Sequence, residues 1–230
     1  MWKPQTCPLE EKAATIQLPY INSFGCMRQY QNAFDSGKID FASVIGPVCP
    51  ICGKAQCYRE ISPYKRSAID LFPSFRKQSI SIARFLCRKR QKTFSLLPIQ
   101  LIPYMQYSAS AVICTLIVGL KHWQKGEKGF WGAFIEADPE SLLSPWLVFG
   151  WLKMVGAALR RCHRSLCRWY ELESISTVAG RWQEIKGYFH AFGWAERRSD
   201  LNAHICRYSR ATRNFLFGNP SQRREAGASP

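Results

Sequence analysis

Residues 49–57 read CPICGKAQC and residues 84–98 read RFLCRKRQKTFSLLP, and these two stretches decide the fold. The run C-P-I-C-G is typical of a knuckle, a tight turn whose backbone N–H groups point at the sulfurs of Cys49 and Cys52. Gly53 fits this turn because glycine adopts a positive φ at little cost. The first stretch therefore predicts half of a metal site.

The second stretch supplies only part of the other half. Cys87 is placed as the first cysteine of a second knuckle, but Arg90 stands where its second cysteine is expected. A guanidinium cannot bind zinc because it stays protonated. Zinc usually takes four thiolate or imidazole ligands, so Cys49, Cys52 and Cys87 leave one position open. Cys57 is the nearest substitute, and a water or a histidine is the alternative.

We therefore expect zinc as a cofactor, held by three or four of these cysteines. The alternative is a fold of the same shape that has lost its metal and is stabilised by packing alone. An incomplete ligand set would lower the affinity for the metal.

The residues around the cysteines predict short strands. Tyr58–Ile61 is a candidate strand, and Ser79–Leu86 alternates polar and apolar side chains and delivers Cys87 at its end. Two strands that each carry part of a metal site at a turn are the architecture of a zinc ribbon. The following stretch, Leu96–Tyr107, contains two prolines and predicts an extended linker.

The rest of the chain predicts helices. Ser108 is a plausible N-cap for a helix from Ala109 to about Trp123, and Ser144-Pro145 opens a long helix to about Tyr170. Further helices are expected at Phe130–Glu136 and Ser176–Phe192. The predicted fold class is α+β, a small N-terminal zinc-ribbon-like β module followed by a mainly α-helical domain.

The expected domain organisation has four parts. They are an N-terminal extension (1–45), the ribbon-like module (46–98), a helical domain (99–195) and a basic, partly disordered tail (196–230).

The net charge indicates the class of partner. The chain has 32 Lys and Arg against 16 Asp and Glu, a formal charge of +16. Such an excess favours an anionic partner, nucleic acid first and an anionic membrane surface second.

Two groups of basic residues are candidate DNA contacts. The first recurs at helical spacing in the long helix and consists of Arg160, Arg161, Arg164 and Arg168. Acidic residues are scarce beside it until Glu171, so phosphate would relieve the mutual repulsion of the arginines. A solvated face is the alternative for this group. The second group interleaves with aromatic residues near the C-terminus and consists of Arg207, Arg210 and Arg213. A basic terminus that docks on its own domain is the alternative for the second group.

Neither apolar stretch of the helical part predicts a membrane span. Ala109–Leu120 is too short to cross a bilayer, and Pro145 and Lys153 interrupt Leu142–Leu159. The N-terminus lacks the apolar core of a signal peptide. We therefore expect a cytoplasmic protein whose cysteines stay reduced.

Together, CPICG, RFLCRKRQKTFSLLP and PYMQYSA resemble the N-terminal zinc-ribbon region of transposase-like proteins of bacterial mobile elements. In that region the second knuckle typically reads C-x-x-C-G-[RK]-T-F-S. Residues 92–95 match its end, whereas Arg90 and Gln91 depart from the expected Cys and Gly. The resemblance covers about residues 48–110. It implies DNA binding and a helix-turn-helix after the ribbon, with Trp151-Leu152-Lys153 in the recognition helix. A core helix is the alternative for that segment, since it is apolar on all sides.

The sequence does not favour an enzyme. Transposases with three catalytic carboxylates need acids on an RNase-H-like fold, and the residues after 110 are too few and too helical for one. We therefore expect an accessory factor or regulator of transposition or integration, which binds DNA and works with a transposase or recombinase encoded nearby. No small-molecule substrate is expected. The alternatives are a peripheral protein on anionic membranes and a decayed transposase fragment.

Overall fold

The fold is α+β, as expected, with a three-stranded antiparallel sheet and several helices. The computed structural model describes Ile21, Phe24, residues 26–72, 74–126, 143–167 and 181–191, and positions 205, 207–208 and 216–217. Three predicted parts of the chain lie outside these ranges. They are the helix at Phe130–Glu136, residues 127–142, which a helix-turn-helix would need, and most of the tail.

The sheet has the order β1-β2-β3 and is formed by Tyr58–Asp70, Arg76–Cys87 and Lys92–Leu96. Both predicted strands are confirmed, but each is longer than its apolar pattern indicated. The third strand was not predicted, since residues 92–95 were identified only as the end of the second knuckle motif. It forms because pairing with β2 places Phe94 opposite Phe85, and the two rings stack with their centroids 5.3 Å apart.

Two short helices, α1 (Met27–Asp35) and α2 (Phe41–Ile45), precede the sheet and pack on it. The fully buried Tyr30 donates its hydroxyl to the carbonyl of Ser81 on β2, at 2.8 Å. Burial raises the pKa of Tyr30 well above its usual value. Since these helices share one hydrophobic cluster with the sheet, the expected boundary at residue 45 does not separate two cores.

The second hydrophobic cluster lies among α3 (Ala109–Gln124), α4 (Pro145–Cys167) and α5 (Arg181–Ala191). Ser108 caps α3 as predicted, because its hydroxyl oxygen accepts the N–H of Ala111 at 3.0 Å. The same hydroxyl bonds to the carboxylate of Asp70 at the end of β1. This bond joins the sheet to the helical part, and burial raises the pKa of Asp70.

Helix α4 follows the predicted helix from Pro145 to Cys167, and α5 falls inside the predicted Ser176–Phe192. A Cβ atom at Gly156 of α4 would stand 3.3 Å from Ile185, so the absence of a side chain there lets α5 approach closely. Within the described ranges, no helix combines the length and the apolar character that crossing a bilayer requires.

Candidate metal centre

Four cysteine sulfurs, from Cys49, Cys52, Cys57 and Cys87, lie within 4.8 Å of one another. Cys49 and Cys87 are buried, whereas Cys52 and Cys57 are half-buried. Within the described part of the chain this is the only group of three or more potential ligands close enough to share one ion. The four cysteines could therefore hold a metal ion.

The first two ligands are positioned by a local turn, as the sequence indicated. The N–H of Gly53 donates to the carbonyl of Cys49, and the N–H of Cys49 donates to the carbonyl of Lys54, both at 2.9 Å. Gly53 has a φ of +70°, which is the left-handed conformation that the turn requires. The knuckle therefore forms from residues that are neighbours in the chain.

The other two ligands are brought together by the pairing of β1 with β2. Tyr58 stands opposite Cys87 in the register, so Cys57 lies just beyond the last pair of the ladder. The N–H of Arg88 donates to the carbonyl of Cys57 at 2.8 Å and extends the ladder to that residue. Among the alternatives for the fourth ligand, the geometry therefore selects Cys57.

The second knuckle keeps its turn although two of its expected residues are replaced. The N–H of Arg90 points at the sulfur of Cys87 at 3.4 Å, as a knuckle N–H should. Gln91 occupies the position of the expected glycine and adopts the same left-handed conformation, with a φ of +50°. Its side chain closes the turn by donating to the carbonyl of Arg88 at 2.7 Å.

The sulfur spacing is compatible with tetrahedral coordination. Zinc–sulfur bonds of about 2.3 Å place the sulfurs of a tetrahedral site about 3.8 Å apart. The sulfurs of Cys57 and Cys87 are 3.7 Å apart, and those of Cys52 and Cys57 are 2.9 Å apart. A small rotation of the half-exposed Cys52 would open the shorter distance to the value that an ion needs.

The thiols also differ in how readily they lose their protons. A hydrogen bond from Cys57, helped by the backbone N–H of Lys54, lowers the pKa of Cys52 to about 7. The pKa of Cys57 is raised, because its own proton is held in that bond to Cys52. Of these two thiols, Cys52 is therefore the one that ionises more readily.

The predicted basic contacts of α4 lie on its solvent face. Lys153, Arg160, Arg161 and Arg164 are all exposed, whereas Val155, Leu159 and Cys162 on the opposite face are buried. Arg207 is also exposed. Arg168, Arg210 and Arg213 lie outside the described residues.

Arg160 has a partner that the sequence did not reveal. Its Nε donates to Oε1 of Glu184 at 2.6 Å and its Nη2 to the other carboxylate oxygen, so the pair is bidentate. Glu184 is 1% exposed and the Arg160 side chain is 50% exposed. The hydrogen bonds and charge of Glu184 raise the pKa of Arg160. Part of the positive charge on α4 is thus balanced within the protein by Glu184 of α5.

Removal of Arg160 should destabilise the fold, because the buried carboxylate of Glu184 would lose its counter-charge. We expect Arg160→Ala to lower the free energy of unfolding by about 2 kcal/mol, less than for a fully buried pair because Arg160 is half-exposed. The matched control is Arg164→Ala, on the same helix and exposed, with an expected change within about 0.5 kcal/mol. Thermal melts of both variants measure the difference, and equal shifts would contradict the structural role of the ion pair.

Helix α4 also contributes to a smaller polar network. The Tyr188 hydroxyl lies 2.9 Å from Nδ1 of His163, and the Cys162 sulfur lies 2.8 Å from the Tyr208 hydroxyl. Cys167 approaches Nε2 of His163 at 3.4 Å. These contacts connect α4 to α5 and to the segment around Tyr208, and they are consistent with a structural role.

Comparison with known proteins finds no match among family models, curated proteins or solved structures.

Proposed function

We propose that this chain is a DNA-binding protein whose sheet module is a zinc ribbon, with zinc held by Cys49, Cys52, Cys57 and Cys87. Its role is that of an accessory factor or regulator of transposition or integration in a bacterial mobile element. This role rests on the resemblance of residues 48–110 to transposase-like proteins. The DNA-binding part rests on the charge and on the solvent face of α4.

The solvent face of α4 is the observation that carries DNA binding. Trp146, Gly150, Lys153, Ala157, Arg160, Arg161 and Arg164 are exposed along this face, which contains no acid. Arginine and lysine side chains on one face of a helix can contact the phosphates of a duplex, and small side chains between them permit close approach. Glu184 neutralises Arg160, so we assign the phosphate contacts mainly to Lys153 and Arg164.

The face offers little for reading base sequence. Lys153 is the only charged side chain in the first half of α4, and its ammonium lies 4.5 Å from the ring centroid of Phe149. A recognition helix needs polar side chains directed at base edges. The helix-turn-helix therefore stays a prediction from resemblance, and the binding that we propose is dominated by phosphate contacts.

An anionic membrane surface is the second candidate, because two aromatic side chains stand far out of the protein. Trp146 is 82% exposed at the start of α4, and Tyr104 is 88% exposed in the turn before α3. Exposed aromatic residues beside basic ones suit the interface of a bilayer. DNA remains the first candidate, since the basic face extends well beyond Trp146.

Fluorescence anisotropy of the zinc-loaded chain over a salt series tests the proposal. The probes are a duplex from the DNA flanking its own gene and a scrambled duplex of equal length. We expect a steep fall of affinity between about 50 and 200 mM salt. Preference for the flanking duplex would support a specific binder. Absence of binding at low salt, together with flotation on anionic vesicles, would overturn the DNA proposal in favour of the membrane.

A further inference from the structure

Exposed basic residues are concentrated in the segments that carry the cysteine cluster, at the end of the sheet. We call the turns at residues 49–57 and 88–92 the sheet tip. Six exposed cations lie in it or beside it, each close in the chain or in strand register to a cysteine of the cluster: Lys54, Arg59, Arg88, Lys89, Arg90 and Lys92. None of them belongs to the basic groups that the sequence analysis assigned to DNA.

The chain segments that form the sheet tip carry no acid of their own. Residues 46–58 and 87–97 contain neither Asp nor Glu, and the nearest acid along β1 is the exposed Glu60. Six cations held close together repel one another, and an anionic polymer laid across them would reduce that repulsion.

Two strained glutamines flank the same cluster. Gln56 and Gln91 are both exposed and both left-handed, with φ values of +48° and +50°. Glycine would adopt this conformation at lower cost, and non-glycine residues in it are concentrated at functional sites. A glutamine adds hydrogen-bond donors that glycine lacks, and such donors suit phosphate oxygens.

We propose that the sheet tip is a second DNA-contact surface, in which Arg88, Lys89 and Arg90 bind phosphates and the metal fixes the shape of the turn. This inference rests on the proposed DNA-binding function and names a further site for it. Since Cys57 completes the ligand set, position 90 is released from metal binding. Arg90 is exposed, and its positive charge is available for a DNA phosphate.

The dependence on metal follows from how the turn is anchored. The N–H of Arg88 donates to the carbonyl of Cys57, and the N–H of Arg90 donates to the sulfur of Cys87. Both hydrogen bonds therefore end on a cysteine of the cluster. A metal ion bound by the four sulfurs would hold Cys57 and Cys87 in fixed positions, and with them both hydrogen bonds. Without the ion, the two cysteines are not linked in this way.

The composition of the tip favours DNA over a lipid surface. Its exposed side chains are cations, glutamines and small residues, and the nearest exposed large apolar side chain is Val48. Insertion into a bilayer is favoured by aromatic anchors, and residues 49–57 and 88–92 contain no aromatic side chain. Binding to phosphates needs cations and donors, which it has.

The test compares two triple variants that each remove three positive charges. The tip variant is Arg88→Gln, Lys89→Gln and Arg90→Gln, which keeps every cysteine and the backbone donors. The control variant is Lys77→Gln, Lys121→Gln and Lys125→Gln, at exposed positions away from the tip. Lys77 stands ten residues before Cys87 on β2, which is about 33 Å along the strand.

For the tip variant we expect the salt slope of DNA binding to fall by about 2–3, since each lost phosphate contact removes about 0.9. Its affinity at about 0.1 M salt should fall at least about tenfold, and the control should change by about threefold or less. Zinc content of one ion per chain in both variants shows that neither has lost the centre.

Three results would overturn the inference. Wild-type protein that binds DNA, with equal losses in the tip and control variants, would refute the tip and leave the proposed function standing. Wild-type protein that binds no DNA would refute both. Loss of binding to anionic vesicles in the tip variant, with DNA binding unchanged, would assign the surface to a membrane.

Chelation tests the metal dependence separately. Removal of zinc from the wild-type protein should lower its salt slope to that of the tip variant and should leave the slope of the tip variant unchanged. Equal reductions in both proteins would show that the metal acts on the whole fold and not through the tip.

Discussion

Replacement of Cys52 by serine is expected to lower the melting temperature of the zinc-loaded protein by roughly 10–15 °C. When the free zinc concentration is about a thousand times its Kd, binding stabilises the folded state by about 4 kcal/mol. Each kcal/mol corresponds to roughly 2–4 °C in a chain of this size. Loss of one thiolate from the set of four removes most of this stabilisation, because the remaining ligands no longer close the coordination sphere.

The matched control is Cys114→Ser. Cys114 is buried on α3, outside the cysteine cluster, and its sulfur lies 3.9 Å from the Ser110 hydroxyl, so an introduced hydroxyl has a possible partner nearby. We expect a loss of about 1 kcal/mol and an unchanged zinc content. Differential scanning calorimetry with metal analysis of both variants decides the question. Similar shifts in the two variants, or a wild-type protein purified without metal, would contradict a zinc centre.

Replacement of Cys57 by serine should abolish stoichiometric zinc binding, and Arg90→Cys in the same protein should restore it. Cys57 is the fourth sulfur of the cluster. The turn after Cys87 already has knuckle geometry, with the N–H of residue 90 directed at the Cys87 sulfur and residue 91 in the left-handed conformation. A thiol at position 90 would therefore stand relative to Cys87 as Cys52 stands relative to Cys49.

The control for this rescue is Lys89→Cys in the Cys57→Ser protein. It places a thiol in the same exposed turn, one residue away from the knuckle position. Zinc stoichiometry and the melting temperature are measured for the three proteins. We expect rescue by the cysteine at position 90 and none by the cysteine at position 89. Equal behaviour of the two double variants would show that the turn lacks knuckle geometry.

In the helical part, local sequence signals were sufficient to predict where two helices begin. Ser108 and Ser144-Pro145 mark two helix starts in the sequence, and α3 and α4 begin directly after Ser108 and at Pro145. Caps and proline restrictions act on the first turn of a helix, so neighbouring residues contain the whole signal. The short α1 and α2 were not predicted. No side chain caps the start of α1, which is held by contacts such as that of Tyr30 with β2. By contrast, α2 has a capping signal, because the carboxylate of Asp40 accepts the N–H of Ser43 at 3.1 Å.

Strand β3 shows the opposite case. Its five residues, KTFSL, contain two apolar side chains and look like part of a turn. They become a strand only because β2 offers a free edge at that position, and Phe94 is buried against Phe85 and Tyr58. A short strand is defined by its partner more than by its own propensity.

By itself the sequence determined the first knuckle, the α+β class, the capped helices and the excess of positive charge. Each depends on residues close together in the chain or on composition alone. The tertiary structure decided that Cys57 is the fourth sulfur, since the register of β1 and β2 brings it to Cys87, thirty residues away. It also decided that Arg160 is paired, since Glu184 arrives from another helix. Contacts between distant segments depend on how whole elements pack, and the pattern of neighbouring residues does not contain that information.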